Sequence, residues 1–338
     1  MKRVGNLWPR VTAFDTLLEA TRRAARGKRG QDAVARFLAD REPRLLELQR
    51  ELRTGTYCPG PLTSFVIHDP KRRTIAVAPF RDRVVHHGLI DVLEPVLDRR
   101  MIHASFACRR GKGTHAALVH VQRLVRRHAW VLRMDVERFF ASIPQAVVMR
   151  TIGSVVKDRA VLSLVERIVA VGGGGDAPGR GLPIGNLTSQ WLANLVLDPV
   201  DRLVTQRLRL PGYARYMDDW AVLADDRARL REARAAIEDE LATLGLRAKP
   251  RATMLGRTRD GVPWLGFSVF PAIVRVRPAN RRRVVRRWKH RLWQWRHGQL
   301  DDQALADAMR SVMAHLEHGT TRGWRRRWCA ALEGRGPV

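Results

Sequence analysis

The chain has 338 residues, enough to bury two or three cores, and its 45% hydrophobic content is that of a folded globular protein and not of a disordered one. Lys and Arg outnumber Asp and Glu by 62 to 33, and the net charge of +29 is spread along the chain, which points to a long polyanionic partner such as nucleic acid; a genome biased toward Arg is the alternative origin. Cys58, Cys108 and Cys329 form no CxxC and no Cys/His cluster, so a disulfide framework and a zinc site are unsupported. With no apolar run fit for a signal or membrane helix, a soluble, cytoplasmic protein with no membrane partner is expected.

Residues 11 to 53 have helical periodicity (Val11, Phe14, Leu17, Leu18, then Val34, Phe37, Leu38, Leu45, Leu48, Leu52), with breaks expected near Gly27-Lys28-Arg29-Gly30 and at Pro43. Phe65-Val66-Ile67 and Thr74-Ile75-Ala76-Val77 are β-prone runs about Asp69-Pro70-Lys71-Arg72, a predicted hairpin. Helices are expected over roughly 81 to 98 and 113 to 128, an apolar strand over 130 to 136 ending on Asp135, and further helices within 144 to 170. The glycines from 172 to 175 mark a loop; no strand-to-helix phosphate turn surrounds them. The spacing predicts one helix from Leu187 to Leu208, two strands over Gly212 to Leu223 joined at Met217-Asp218-Asp219, a helix over about 226 to 244, and strands near 252 to 256 and 262 to 276. Asp225-Asp226 is expected to cap the helix that follows. Residues 281 to 296 hold eight Lys or Arg and no acid, with Val284, Val285, Trp288, Leu292 and Trp295 at helical spacing. That predicts a helix with an apolar stripe and a cationic face suited to a phosphate backbone, the alternative being a merely solvated face.

Three aspartates carry the chemical signal. Asp135 ends one predicted strand and Asp218-Asp219 sit in a later hairpin; an Asp-Asp pair in a turn is usually just solvated, but here the flanks Ala214-Arg215-Tyr216 and Trp220-Ala221-Val222-Leu223 place both acids among strand residues, where their repulsion needs a compensating cation. If the strands pair, the carboxylates converge. Such a set suits Mg²⁺, a hard ion that prefers oxygen ligands, and two Mg²⁺ ions suit in-line transfer of a nucleotide.

In order along residues 55 to 276, the motifs resemble the reverse transcriptases of bacterial retroelements. Arg73-Thr74-Ile75 with Pro79-Phe80-Arg81-Asp82-Arg83-Val84-Val85-His86 is similar to the first finger motif, Ser105-Phe106-Ala107-Cys108-Arg109-Arg110-Gly111-Lys112-Gly113-Thr114-His115 to the second, and Asp135-Val136-Glu137-Arg138-Phe139-Phe140 to the third. Tyr216-Met217-Asp218-Asp219 resembles the fifth, Gly245-Leu246-Arg247-Ala248-Lys249 the sixth, and Trp264-Leu265-Gly266-Phe267 the primer grip. The resemblance implies an α+β fold of right-hand polymerase architecture with fingers, palm and helical thumb, divided into a helical N-terminal extension (1–58), fingers and palm (59–277) and a basic helical thumb (278–338). It implies that Asp135, Asp218 and Asp219 are catalytic and hold two Mg²⁺ ions, with Mn²⁺ as a substitute and the Val136 carbonyl as a further ligand. Phe139 would be the steric gate under the deoxyribose; Arg73 and Arg81 would clamp the dNTP triphosphate, solvation at the surface being their alternative. Lys249, Leu265, Gly266, Arg286, Arg287 and Lys289 would contact nucleic acid.

The fourth motif departs from the common form. In place of Gln-Gly followed by Ser-Pro stands Leu182-Pro183-Ile184-Gly185-Asn186-Leu187-Thr188-Ser189-Gln190, which resembles the enzymes of diversity-generating retroelements, error-prone at template adenines. Ile184 and Gly185 would lie at the incoming dNTP, where Ile in place of Gln removes an amide that can hydrogen-bond near the nascent base pair; plain packing is the alternative role for Ile184. Template RNA, cDNA primer and product, and dNTPs are the implied partners, together with a small basic accessory protein, pentameric in that family. No second catalytic cluster such as an HNH pattern follows the primer grip. The competing readings are a stand-alone group II-like or defence-associated reverse transcriptase and a non-catalytic, maturase-like RNA-binding protein.

Overall fold

A computed structural model describes residues 2–68, 72–172 and 177–332, with side chains to Trp328. The expected turn at Asp69-Pro70-Lys71 and the glycines 173–175 lie outside the described residues. A single helical turn at Trp8–Val11 precedes helices α1 (Phe14–Ala25), α2 (Asp32–Ala39) and α3 (Arg41–Thr54), then a hairpin of β1 (Thr63–Ile67) and β2 (Arg73–Val77). Helices α4 (Phe80–Arg100) and α5 (Thr114–Arg127) lead into β3 (Trp130–Asp135), followed by α6 (Gln145–Gly153), α7 (Arg159–Val171) and α8 (Leu187–Val196). Next come β4 (Gly212–Tyr216), β5 (Asp219–Ala224), α9 (Arg227–Thr243) and β6 (Met254–Arg257). A small sheet of β7 (Val262–Trp264), β8 (Phe267–Val269) and β9 (Val274–Val276) precedes three final helices, α10 (Pro278–Arg296), α11 (Asp302–Glu317) and α12 (Arg322–Leu332).

The central sheet is antiparallel, in the order β4-β5-β3-β6. Along β5, Trp220, Val222 and Ala224 enter one core while Ala221 and Leu223 enter another, so the period-two pattern that separates faces in a strand here separates two cores. The larger core joins Leu17, Ala20 and Ala24 of α1, Leu89 and Leu93 of α4, Leu192 and Val196 of α8, and the sheet, which makes the N-terminal helices part of the same packed body. The smaller lies between α5, the sheet and β7–β9.

Several expectations are corrected by local chemistry. The break expected at Pro43 falls three residues earlier, at Asp40 between α2 and α3: Pro43 sits in the first turn of α3, where its missing N–H costs nothing, and its ring would clash with a helical carbonyl at Ala39. The helix expected from Leu187 to Leu208 stops at Val196 because Pro199 opens a new turn, Asp198–Arg202, which runs into a wide π turn at Leu203–Arg207. Asp226 caps α9 through the Ala228 N–H at 2.7 Å, but Asp225 accepts instead from the Ala129 N–H at 3.0 Å and tethers the start of β3. On α10 the packed stripe is narrower than expected. Val284, Trp288 and Leu292, four residues apart, meet Leu316 and Trp328, whereas Trp295 is 40% exposed and donates to Asp302.

Candidate active site

β3 and β5 pair antiparallel with Asp135 opposite Asp219, and β4 pairs with β5 so that Tyr216 also faces Asp219. Met217 and Asp218 are therefore the two loop residues of a tight hairpin, and Met217 has a φ of 57°. A non-glycine residue there costs on the order of 1 kcal/mol, so something must hold the turn. Arg215 does: its guanidinium, wholly buried, donates to the Met217 carbonyl at 3.0 Å. The same group makes a bidentate pair with Asp201 at 2.6 and 2.5 Å and reaches Asn194 of α8 at 2.5 Å, while the Tyr213 hydroxyl donates to Asp201. The hairpin rests on a satisfied buried network that ties it to α8.

Burial, reinforced by the negative charge of Asp135, pushes the Asp218 carboxyl up to about 7. Burial also pushes Asp219 up to about 6, against the pull of Arg133, whose fork meets both Asp219 oxygens at 3.0 and 2.8 Å. Arg133 is thus the compensating cation that the adjacent acids require. Among the described residues no three carboxylate, His or Cys side chains are gathered as a metal-chelating group. The segment 247–249 runs against the end of β3: the Lys249 N–H donates to the Asp135 carbonyl at 2.8 Å and Val136 bridges Ala248.

A cavity of about 930 Å³ opens over this edge and brings together Asp135, Val136, Asp218, Phe139, Arg73, Ile184 and Lys249, with Arg72 and Arg138 also on its wall. Phe139 is 3% exposed and packs edge-on to Phe140. Ile184 is half-buried on the wall, and its carbonyl accepts from the Ala76 N–H at 2.9 Å, fastening the β1–β2 hairpin to the segment before α8. Gly185 has a φ of 125°, and a Cβ there would stand 2.9 Å from the Ala76 carbonyl oxygen; this close approach admits only glycine.

Other expected residues stand elsewhere. Arg81 does not line the cavity: it is paired with Glu51 of α3 and lies over the Tyr57 ring, because α4 starts at Phe80 and turns its first residues toward the N-terminal helices. Leu265 and Gly266, with φ values of 44° and 90°, form the turn between β7 and β8, and the Asn280 amide of α10 donates to the Gly266 carbonyl at 2.9 Å. Arg286, Arg287 and Lys289 are exposed on α10. The sequence reading missed Arg133 and the Arg215–Asp201–Asn194 network. The only signal for Arg133 was its place two residues before Asp135, on the same face of a strand.

The fold defined by this sheet and its helices is that of a template-copying polymerase. An apo telomerase structure from Candida tropicalis, truncated from its C-terminal domain, is similar with a TM-score of 0.51 over 68% of this chain and 59% of that one, at 10% sequence identity. The family model for reverse transcriptase (RNA-dependent DNA polymerase) matches residues 68–269, more than half of the chain, and the chain belongs to that family. Protein YkfC of Escherichia coli is 26% identical over 184 residues, covering 51% of this chain and 48% of that protein. The group II intron-encoded protein LtrA of Lactococcus lactis is 23% identical over 172 residues, 49% of this chain and 29% of that protein. The Putative COX1/OXI3 intron 1 protein of Saccharomyces cerevisiae is 25% identical over 173 residues, 49% of this chain and 21% of that protein. The chain thus spans half or less of the length of these relatives. No described helix is long and apolar enough to cross a membrane.

Proposed function

We propose that the protein is an RNA-directed DNA polymerase that copies a template RNA into cDNA by two-metal nucleotidyl transfer. The observation that carries the reading is the pairing of Asp135 with Asp219 at the mouth of a cavity that Asp218 also lines. The donor set fits a divalent ion: Asp218 is driven toward its protonated form by burial and by a neighbouring carboxylate, and a hard cation relieves that excess charge with oxygen ligands. When bound, Mg²⁺ or Mn²⁺ supplies charge stabilisation for the attacking 3′ oxygen and the departing pyrophosphate. Asp135, Asp218 and Asp219, with the Val136 carbonyl, would hold the two ions. Phe139, Arg73 and Lys249 line the same cavity; in this reading the Phe139 ring excludes a 2′ hydroxyl, the Arg73 guanidinium clamps the triphosphate and Lys249 adds positive charge.

The C-terminal helices α10–α12 act in this reading as a thumb that grips the template–primer duplex through Arg286, Arg287 and Lys289, attached at the Leu265-Gly266 turn. The finer reading is a diversity-generating enzyme, error-prone at template adenines, working in the cytoplasm with a small basic accessory protein. Ile184 supports it, presenting an aliphatic side chain to the cavity where an amide would have checked geometry.

Primer extension on an RNA template with Mg²⁺, with and without an accessory protein, tests the activity. Wild-type protein is expected to make cDNA and Asp218→Ala none; equal yields from the two would refute polymerase action and leave a maturase-like RNA-binding role. Sequencing the product tests the subtype. Substitutions should gather opposite adenines and fall in Ile184→Gln, whereas errors spread evenly over the four bases would point to the group II-like alternative.

A further inference from the structure

Arg133 and Asp219 form an ion pair across the β3–β5 ladder. Arg133 faces Ala221 and Asp135 faces Asp219, so the guanidinium reaches the diagonal neighbour over a methyl-sized side chain that leaves it room. Its Nε donates to Asp219 Oδ1 at 3.0 Å and its Nη2 to Oδ2 at 2.8 Å. The side chains are 20% and 17% exposed, so water screens the pair poorly. Asp135 and Asp218 line the cavity and Asp219 does not.

Those positions divide the three carboxylates into two that face the cavity and one whose oxygens are both taken. We propose that Arg133 is a positioning residue that holds Asp219 out of the metal cluster, leaving Asp135 and Asp218 as the pair that takes up the first divalent ion. Asp219 then joins only when the guanidinium gives way. The inference rests on the polymerase reading of the site. A cation fixed beside the cluster repels an incoming one and occupies a ligand, so Arg133 weakens metal uptake in the free protein; a guanidinium present only to stabilise the fold would leave the affinity of the other two carboxylates unimproved when removed.

Titration of the full chain with Mn²⁺, without nucleic acid or nucleotide and followed by the electron paramagnetic resonance of the free ion, tests this. Arg133→Gln is expected to bind Mn²⁺ about tenfold more tightly than wild type. Asp219→Asn should change affinity by less than about threefold and Asp218→Asn should lose at least about tenfold. In the double variant Arg133→Gln/Asp219→Asn the gain should vanish, because its source is the released Asp219 carboxylate. Should Arg133→Gln fail to fold, Arg133→Lys keeps the charge but loses the two-pronged grip and should tighten binding about threefold. Unchanged or weaker binding in the Arg133 variants, a gain that survives in the double variant, or no Mn²⁺ binding by wild type overturns the inference. Primer extension that depends on Asp218 while Arg133→Gln shows no gain would remove this inference alone; Asp218-dependent Mn²⁺ binding without any cDNA synthesis would remove the polymerase reading.

Discussion

At Asp218 burial and the negative charge of Asp135 both raise the carboxyl, and the consequence for stability has a definite sign. Its value in the fold, about 7, lies above the ordinary 3.8, so the folded chain binds more protons than the unfolded one between those values, and stability falls as pH rises through that window. The contribution is read as a difference: relative to Asp218→Asn, the melting temperature of the metal-free wild type is expected to drop between pH 4.5 and 7.5, and the drop should shrink when Mg²⁺ is added. Differential scanning fluorimetry checks it; parallel profiles for wild type and Asp218→Asn would show that the carboxyl is not strained by the fold. Asp135 and Asp218 were legible in the sequence because each ends or joins a short apolar run, a pattern that local alternation reveals. Arg133 was not, because a lone cation in a strand reads as an outward-facing residue until the partner strand is known.

Among the elements, the β4–β5 hairpin rests on the buried Arg215 guanidinium, which bonds Asp201, Asn194 and the Met217 carbonyl. Replacing Arg215 by Met leaves Asp201 as an uncompensated buried charge, an expected loss of about 3–5 kcal/mol in urea unfolding, and the pair change Arg215→Met/Asp201→Leu should recover part of it. Recovery of stability without recovery of primer extension would show that the guanidinium is also needed to hold the Met217 turn. The turn itself was legible from Tyr216-Met217-Asp218-Asp219. Its support was not, since Asn194 and Asp201 belong to a stretch whose apolar spacing suggested one continuous helix; Pro199 divides that stretch and sets Asp201 beneath the sheet. The same limit applies to Arg81, where a motif position suggested a phosphate clamp and the fold gave it to Glu51.

For the whole molecule, the small sheet meets the C-terminal helices at the Gly266–Asn280 bond, at the bonds between Val274 and Thr320, and where Phe267 meets His315. Gly266→Ala places a Cβ against the Asn280 amide at a φ of 90°, a strain on the order of 1–2 kcal/mol before the overlap is counted. It is expected to shorten the products of primer extension while changing addition of the first nucleotide by less than about twofold. Equal product lengths would mean that the α10 attachment does not govern retention of the duplex. Replacing Arg286, Arg287 and Lys289 together by Gln should make the slope of log affinity against log salt shallower by about 2 to 3, measured by fluorescence anisotropy on an RNA–DNA duplex. An unchanged slope would place the backbone contacts elsewhere. Composition had already signalled a polyanionic partner and periodicity had placed the cationic helix, but the docking of α1 onto α4 and the walls of the cavity arise from long-range contacts that no local pattern carries.

The bond between the Ala76 N–H and the Ile184 carbonyl joins main chain to main chain. Because neither side chain takes part, residue 184 is free to change in evolution while the hairpin stays fastened. If the proposed role of Ile184 holds, copying accuracy becomes a heritable setting, adjustable by single substitutions at one wall of the cavity without redesign of the scaffold around it.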